Sequence, residues 1–257
     1  MKAARPAEET ELHTSILRCT LAAAESQIYW AKVDLEESAE RRNLRAFEER
    51  WFGAKSQARV KQLLAALSSR FDRHPASLAV LRDWRGMSPA TRRLICHWHL
   101  QFSDALYRRF TGEALPTRRT GARASIERDL VSRWVEQQAK GRWGPATRNA
   151  FGTKLLSTAL EVGLVEGRRD PRPLAFPRVD DDALAYFLRW LRTVEVHGTT
   201  IANPYLASVG LDGAVLEQRL RALPGLAYRR VGDVLELEWT EPDLRRWALA
   251  QHGAPSP

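Results

Sequence analysis

"WGPATRNAFGTKLLSTALEVGLVEGRRD", residues 143–170, is the stretch whose reading decides the fold. Gly144 and Pro145 open a helix, because a proline at the first helical position gives up no backbone hydrogen bond and presets φ. About five turns later, Gly163 stops it, glycine being the residue that takes the left-handed C-cap conformation at least cost. The run that follows, "LVEGRRDPRPLAFPRV", reads as two short strands around a basic turn containing Arg168, Arg169 and Arg172. Just upstream, "SIERDLVSRWVEQQAKG" reads as another helix, with Ser125 as its cap and acids in its first turn.

Helix, helix, hairpin is the order of a winged-helix module, and the last third of the chain repeats it more fully. "DDALAYFLRWLRTVEV", "NPYLASVG" and "LDGAVLEQRLRALPG" read as three helices, the third capped by Asp212. "LAYRRVGDVLELEWT" is then a strand, a turn and a strand of alternating polarity. A closing helix follows Thr240 and Pro242, with Leu244, Trp247 and Ala248 on its inner face. The third helix of this unit is expected to expose Glu217, Gln218, Arg219 and Arg221.

Residues 9–115 read as nearly all helical, in five or six helices. "SQARVKQLLAALSSRF" sets Val60, Leu63, Leu64, Leu67 and Phe71 on one stripe, with Arg59, Lys61 and Arg70 off it. Ser88 and Pro89 start a helix expected to run to Gly112. "EALPTRRTGARAS" has the composition of a linker and carries Arg118, Arg119 and Arg123. The expected fold is therefore mainly α: a helical bundle over 1–115, a basic linker over 116–124, and winged-helix-like modules over 125–179 and 180–257.

The formal charge of +9 is unevenly spread. Residues 1–40 carry net −4, 41–130 net +11, 131–178 net +5 and 179–257 net −3. The cations are mostly arginine, whose planar fork suits phosphate oxygens. A basic centre between acidic ends points to a polyanion. Arginine-rich coding habit is the plain alternative.

On a helical projection Phe151, Leu155, Leu156, Ala159 and Leu160 form one apolar half of residues 145–162. Opposite them lie Ala146, Thr147, Ala150, Thr153, Lys154 and Ser157. Small side chains let a helix approach closely, either a major groove or another helix. The balance favours packing for this face, with Arg142, Arg148, Arg168 and Arg169 around it reaching the nucleic acid. Together with Lys154 and the three linker arginines, these make up the expected DNA-binding set.

Catalytic chemistry has little to stand on. "CHWH" at 96–99 puts Cys96 and His99 on one helix face but turns His97 away, and no second Cys/His pair is near in sequence. The acids at 180–182 suit a helix start better than a metal. No phosphate-binding glycine loop or nucleophile elbow occurs. The expectation is a non-enzyme without cofactor or metal. Cys19 and Cys96 read as buried, reduced thiols, and no run reaches the ~20 apolar residues of a membrane span. A cytoplasmic protein is expected.

Three stretches in order, "FGAKSQARVKQLLAALSSRF" (52–71), "HLQFSDALYRRFTGEAL" (99–115) and "WGPATRNAFGTKLLSTALEVGLVEG" (143–167), resemble the BrxA family of BREX phage-defence systems. The resemblance covers about residues 12–180; the last third matches by architecture. It implies a NusB-like helical N-terminal part, binding of double-stranded DNA, no enzymatic activity, and work beside other phage-defence proteins such as a methyltransferase and an ATPase. Two other readings remain: a protein-interaction adaptor for such components, and an RNA-binding, antitermination-like factor.

Overall fold

The computed structural model describes residues 4–121, 124–231 and 234–252. Arg123, one of the expected DNA-binding residues, lies outside the described residues. Helix accounts for 59% of the chain and strand for 7%, so the mainly-α class holds.

The first helices are α1 (Ser15–Arg18), α2 (Ala23–Lys32), α3 (Ala39–Glu48), α4 (Gln57–Phe71), α5 (Pro75–Asp83) and α6 (Pro89–Ser103). Side-chain caps set the starts of α3, α4 and α6; at α4 the Ser56 hydroxyl accepts from the Arg59 amide at 3.3 Å. Ser88 does the same for Thr91 at 3.0 Å, with Pro89 at the first helical position of α6. The stripe Val60, Leu63, Leu64, Leu67 and Phe71 is buried as expected. Arg70, expected off that stripe, is also buried. Its guanidinium donates to the carbonyls of Leu21, Cys19 and Thr20 at 3.0, 2.9 and 2.8 Å, tying down the loop before α2.

The helix expected from Ser88 to Gly112 is broken at Asp104. Its backbone is extended and its carboxylate accepts from the Tyr107 amide at 2.9 Å, which starts α7 (Ala105–Arg109) afresh. A π-helical turn, Phe110–Ala114, then leads into α8 (Leu115–Arg119). The expected linker over 116–124 is thus helical through Arg119.

Ser125 does not cap a helix; Ser125–Ile126 form β1, and α9 (Arg128–Ala139) begins after it. The α9 cap comes from elsewhere in the chain: the Arg128 amide donates to the Asp170 carboxylate at 2.9 Å. Next come α10 (Pro145–Val162), closed by Gly163 at φ +91°, and β2 (Arg172–Pro173), which pairs antiparallel with β1. The chain continues with α11 (Asp181–Leu191), α12 (Pro204–Ser208), α13 (Gly213–Ala222), the antiparallel hairpin β3 (Leu226–Val231) and β4 (Val234–Trp239), and α14 (Leu244–His252). Leu244, Trp247 and Ala248 are buried, as read from the sequence.

One hydrophobic core runs through the boundaries expected at 115, 125 and 180. α11 is its hinge element. Phe187 stacks on Trp98 at 4.3 Å, and Trp190 lies 4.5 Å from His99 and 5.4 Å from Phe102. The first helix of the C-terminal third is therefore packed into the N-terminal bundle, and its Phe187 and Trp190 also meet Tyr205 of α12.

Candidate nucleic-acid interface

α10 meets its neighbours through Phe151, Leu155, Leu156, Ala159 and Val162, all buried. Gly152 sets how closely it lies on α9: a Cβ there would fall 2.8 Å from the Ser132 hydroxyl and 3.1 Å from the Arg128 carbonyl. Trp143 packs on Phe151 at 4.4 Å and fixes the entry of the chain. On the other side Ala146, Asn149, Thr153 and Ser157 are exposed, while Thr147, Ala150 and Lys154 are half-buried. The small face is thus open to solvent at Ala146, Thr153 and Ser157 and partly covered at Thr147, Ala150 and Lys154, and none of these residues is buried in the core. The apolar half alone satisfies the helix. Thr153 and Ser157 turn their hydroxyls to their own backbone, onto the carbonyls of Asn149 and Lys154 at 3.1 and 3.0 Å.

After α10 the chain doubles back in a short hairpin. Ala175 donates to the Leu164 carbonyl at 3.0 Å and Glu166 to that of Pro173 at 2.8 Å. The strand also joins the segment before α9, Leu174 donating to the Ala124 carbonyl at 2.8 Å. Arg168 and Arg169 stand exposed at the tip. Asp170 holds the base: it accepts from the Arg128 amide and, at 2.9 Å, from Arg172 Nε. Against the raising effect of burial, that amide and the Arg172 guanidinium keep its carboxyl below the usual range.

The expected DNA-binding residues divide into three groups. Arg142, Lys154, Arg168 and Arg169 form no ion pair among the described residues, and Arg142 is held 5.6 Å from the Trp143 ring. Arg148 is bonded to Glu136 across the α9–α10 groove, so its charge is largely compensated. The linker pair is structural. Arg118 Nε donates to the Ser125 carbonyl at 2.8 Å, and Arg119 donates to the carbonyls of Ala175, Leu164 and Ser208 at 2.6, 3.3 and 3.4 Å. Burial pushes the Arg119 guanidinium down to about 10.

Sequence reasoning missed two cations on α9 and its end, Arg133 and Lys140, both exposed and without an ion pair among the described residues. Arg133 lines the groove that Pro145 and Asn149 share at the start of α10. The signal was available: both fall on the polar side of a helix whose buried positions are Val131 and Val135.

In the C-terminal unit several arginines are engaged. Arg219 pairs with Asp181 at 2.8 Å, Arg221 with Glu217 at 3.0 Å, and Arg230 also bonds to Glu217. Arg189 is buried, stacked 4.3 Å from Trp239 and 4.8 Å from Trp247, with its guanidinium pushed down to about 10 by burial.

The "CHWH" segment is core. His97 bonds to the Tyr107 hydroxyl at 2.8 Å and the Ser208 hydroxyl at 2.9 Å, and His99 to the Tyr186 hydroxyl at 2.8 Å. Both cysteines are free and buried, and burial pushes the Cys96 thiol up to about 12. No group of three or more His, Cys, Asp or Glu that could hold a metal occurs among the described residues. No helix among them is long and apolar enough to cross a membrane.

No family model and no curated protein matches the chain. Among solved structures it is similar to an uncharacterized protein from Magnetospirillum magneticum, with a TM-score of 0.57 at 18% identity, covering 69% of this chain and 92% of that one. That likeness concerns the fold alone.

Proposed function

We propose that the chain is a non-enzymatic, double-stranded DNA-binding accessory protein of a BREX-type phage-defence system, held in the cytoplasm. In this reading β1, α9, α10 and the hairpin after it form a winged-helix-like reader. α10 offers its open face to the major groove, and Arg168 and Arg169 on the wing reach the backbone. The N-terminal helices serve as a NusB-like scaffold. The C-terminal helices and hairpin form a second winged-helix-like unit in which Arg189, Arg219, Arg221 and Arg230 are used internally.

The observation that carries this reading is a cluster of uncompensated charge. Around a partly exposed helix face of small side chains, Arg133, Lys140, Arg142, Lys154, Arg168 and Arg169 lack ion pairs among the described residues. Free cations beside a face that a groove can approach are what phosphate binding requires.

The test is a salt titration against duplex DNA, duplex RNA and single strands. Duplex DNA should bind tightest, with log K falling against log salt at about −0.9 per phosphate contacted, for roughly four to six phosphates. No binding to duplex DNA at about 50 mM salt, or tighter binding to duplex RNA, overturns it.

A further inference from the structure

The C-terminal hairpin has a different use. β3 and β4 form a two-stranded sheet in which Tyr228 faces Leu237 and Arg230 faces Leu235. Among the described residues β4 therefore has a strand partner on one edge and none on the other. Side chains alternate along it, so Leu235, Leu237 and Trp239 share one face and Glu236 and Glu238 the other. The apolar face closes on the core only in part: Leu237 and Trp239 are half-buried against it, while Leu235 is exposed. It lines a groove of about 360 Å³ whose opposite wall is Thr199, Thr200 and Ile201, with Arg192 at the rim. Leu235 remains 37% exposed. A free strand edge beside an apolar trough is the geometry that accepts an added strand: main-chain bonds give affinity, and alternate side chains fill the trough.

We infer that this edge docks an extended peptide segment of a protein partner, added to β4 as a third strand and carrying a carboxylate only at the end beside Arg192. The charge of the rim selects the chemistry. Arg192 is exposed and in no ion pair among the described residues, and Arg5 is brought beside it by donating to the Arg192 carbonyl at 3.4 Å. The Arg192 guanidinium at the groove favours a carboxylate. A second copy of this chain is a poorer occupant. Pairing β4 with β4 about a two-fold axis sets Glu236 and Glu238 of each copy against those of the other, and like charges on facing strands repel. The inference is independent of the DNA-binding reading, which rests on α10 and the hairpin after it.

The probe is an acetylated peptide of about six residues, a typical strand length, of alternating valine and threonine ending in two aspartates; its twin ends in two lysines. Hydrogen exchange and fluorescence titration are read on the full chain. The acidic peptide should bind, slow exchange at Leu235, Leu237 and Trp239, and bind roughly tenfold tighter than the basic twin. Arg192→Glu, an exposed change that leaves the hairpin intact, should erase that preference. Leu235→Pro, which removes a main-chain donor from β4, should weaken both peptides. Equal binding of the two peptides, protection elsewhere, or protection of β4 that rises with protein concentration alone would overturn the inference.

Discussion

The guanidinium carbon of Arg119 lies 4.0 Å from the ring of Phe176. Phe176 is 56% exposed, yet it is seated: Gly210, at φ +76°, has no side chain to meet it, and a Cβ there would lie 2.5 Å from the ring. The same guanidinium gathers carbonyls from α12, the end of α10 and the hairpin strand. One side chain thus fastens three parts of the chain. Arg119→Ala leaves those carbonyls without their donor and uncovers the ring. We expect a loss of about 2–4 kcal/mol of stability by denaturant unfolding. A stability unchanged within error would show that water replaces the guanidinium.

A second close approach joins the C-terminal third to the bundle. Gly112, in the π-helical turn, lies against Pro204 at the start of α12, where a Cβ would fall 2.4 Å from the proline Cβ and 2.6 Å from its carbonyl oxygen. Backbone cannot swing aside as a side-chain tip can. Gly112→Ala should cost about 1–3 kcal/mol, the usual penalty of overpacking. Gly141→Ala gives a reference for strain at positive φ without crowding, since nothing lies within 4 Å of Gly141.

The local elements were legible because their signals are local. Gly163 at the end of α10, Asp180 before α11 and the alternation of β4 each depend on residues close in sequence. Arg70 and Arg119 were misread, and the capping role of Asp170 was missed, for the opposite reason. Arg70 finds its carbonyls about 50 residues away, Arg119 its carbonyls 45 to 89 residues away, and Asp170 caps a helix 42 residues upstream. Charge spacing in a sequence cannot separate a phosphate ligand from a staple of the fold. The open face of α10 was likewise undetermined, since small residues serve equally for packing and for exposure.

That face now gives a clean experiment. Thr153 is exposed, and its hydroxyl bonds only the Asn149 carbonyl. Thr153→Glu should change stability by no more than about 0.5 kcal/mol. It places a carboxylate where the proposed duplex lies, so affinity for duplex DNA should fall at least tenfold in a fluorescence titration. Retained affinity would move the interface off α10.

The wing tip and the C-terminal arginines make a matched pair of variants. Arg168 and Arg169 are exposed without ion pairs among the described residues, so replacing both by Ala should leave Tm in place and reduce the salt slope by about 1.8. Arg219 and Arg221 are paired with Asp181 and Glu217, and replacing both should leave the slope unchanged. Equal effects from the two pairs would mean that overall charge alone drives binding.

The core also sets a pH dependence. His74, His97 and His99 are buried among aromatic rings, and burial pushes His74 down to about 4, His97 to about 3 and His99 well below its ordinary range. An unfolded histidine titrates near 6.5. The folded chain therefore binds fewer protons, and the stability these groups contribute is complete above about pH 6.5 and drains away as pH falls toward the folded values. Burial raises Asp104 and Glu161, whose contribution has the opposite sense: complete below the unfolded carboxylate value and lost as pH rises through the folded one. Between about pH 6.5 and 5 the three buried histidines outnumber the two carboxyls of opposite sense, so the histidine trend prevails. Tm should fall on acidification through that window. His97→Gln keeps an amide between Tyr107 and Ser208 but cannot take up the proton, so it should flatten the decline by up to about 1.4 kcal/mol per pH unit. A wild-type Tm that stays level down to about pH 5 would mean that the imidazoles titrate without opening the core.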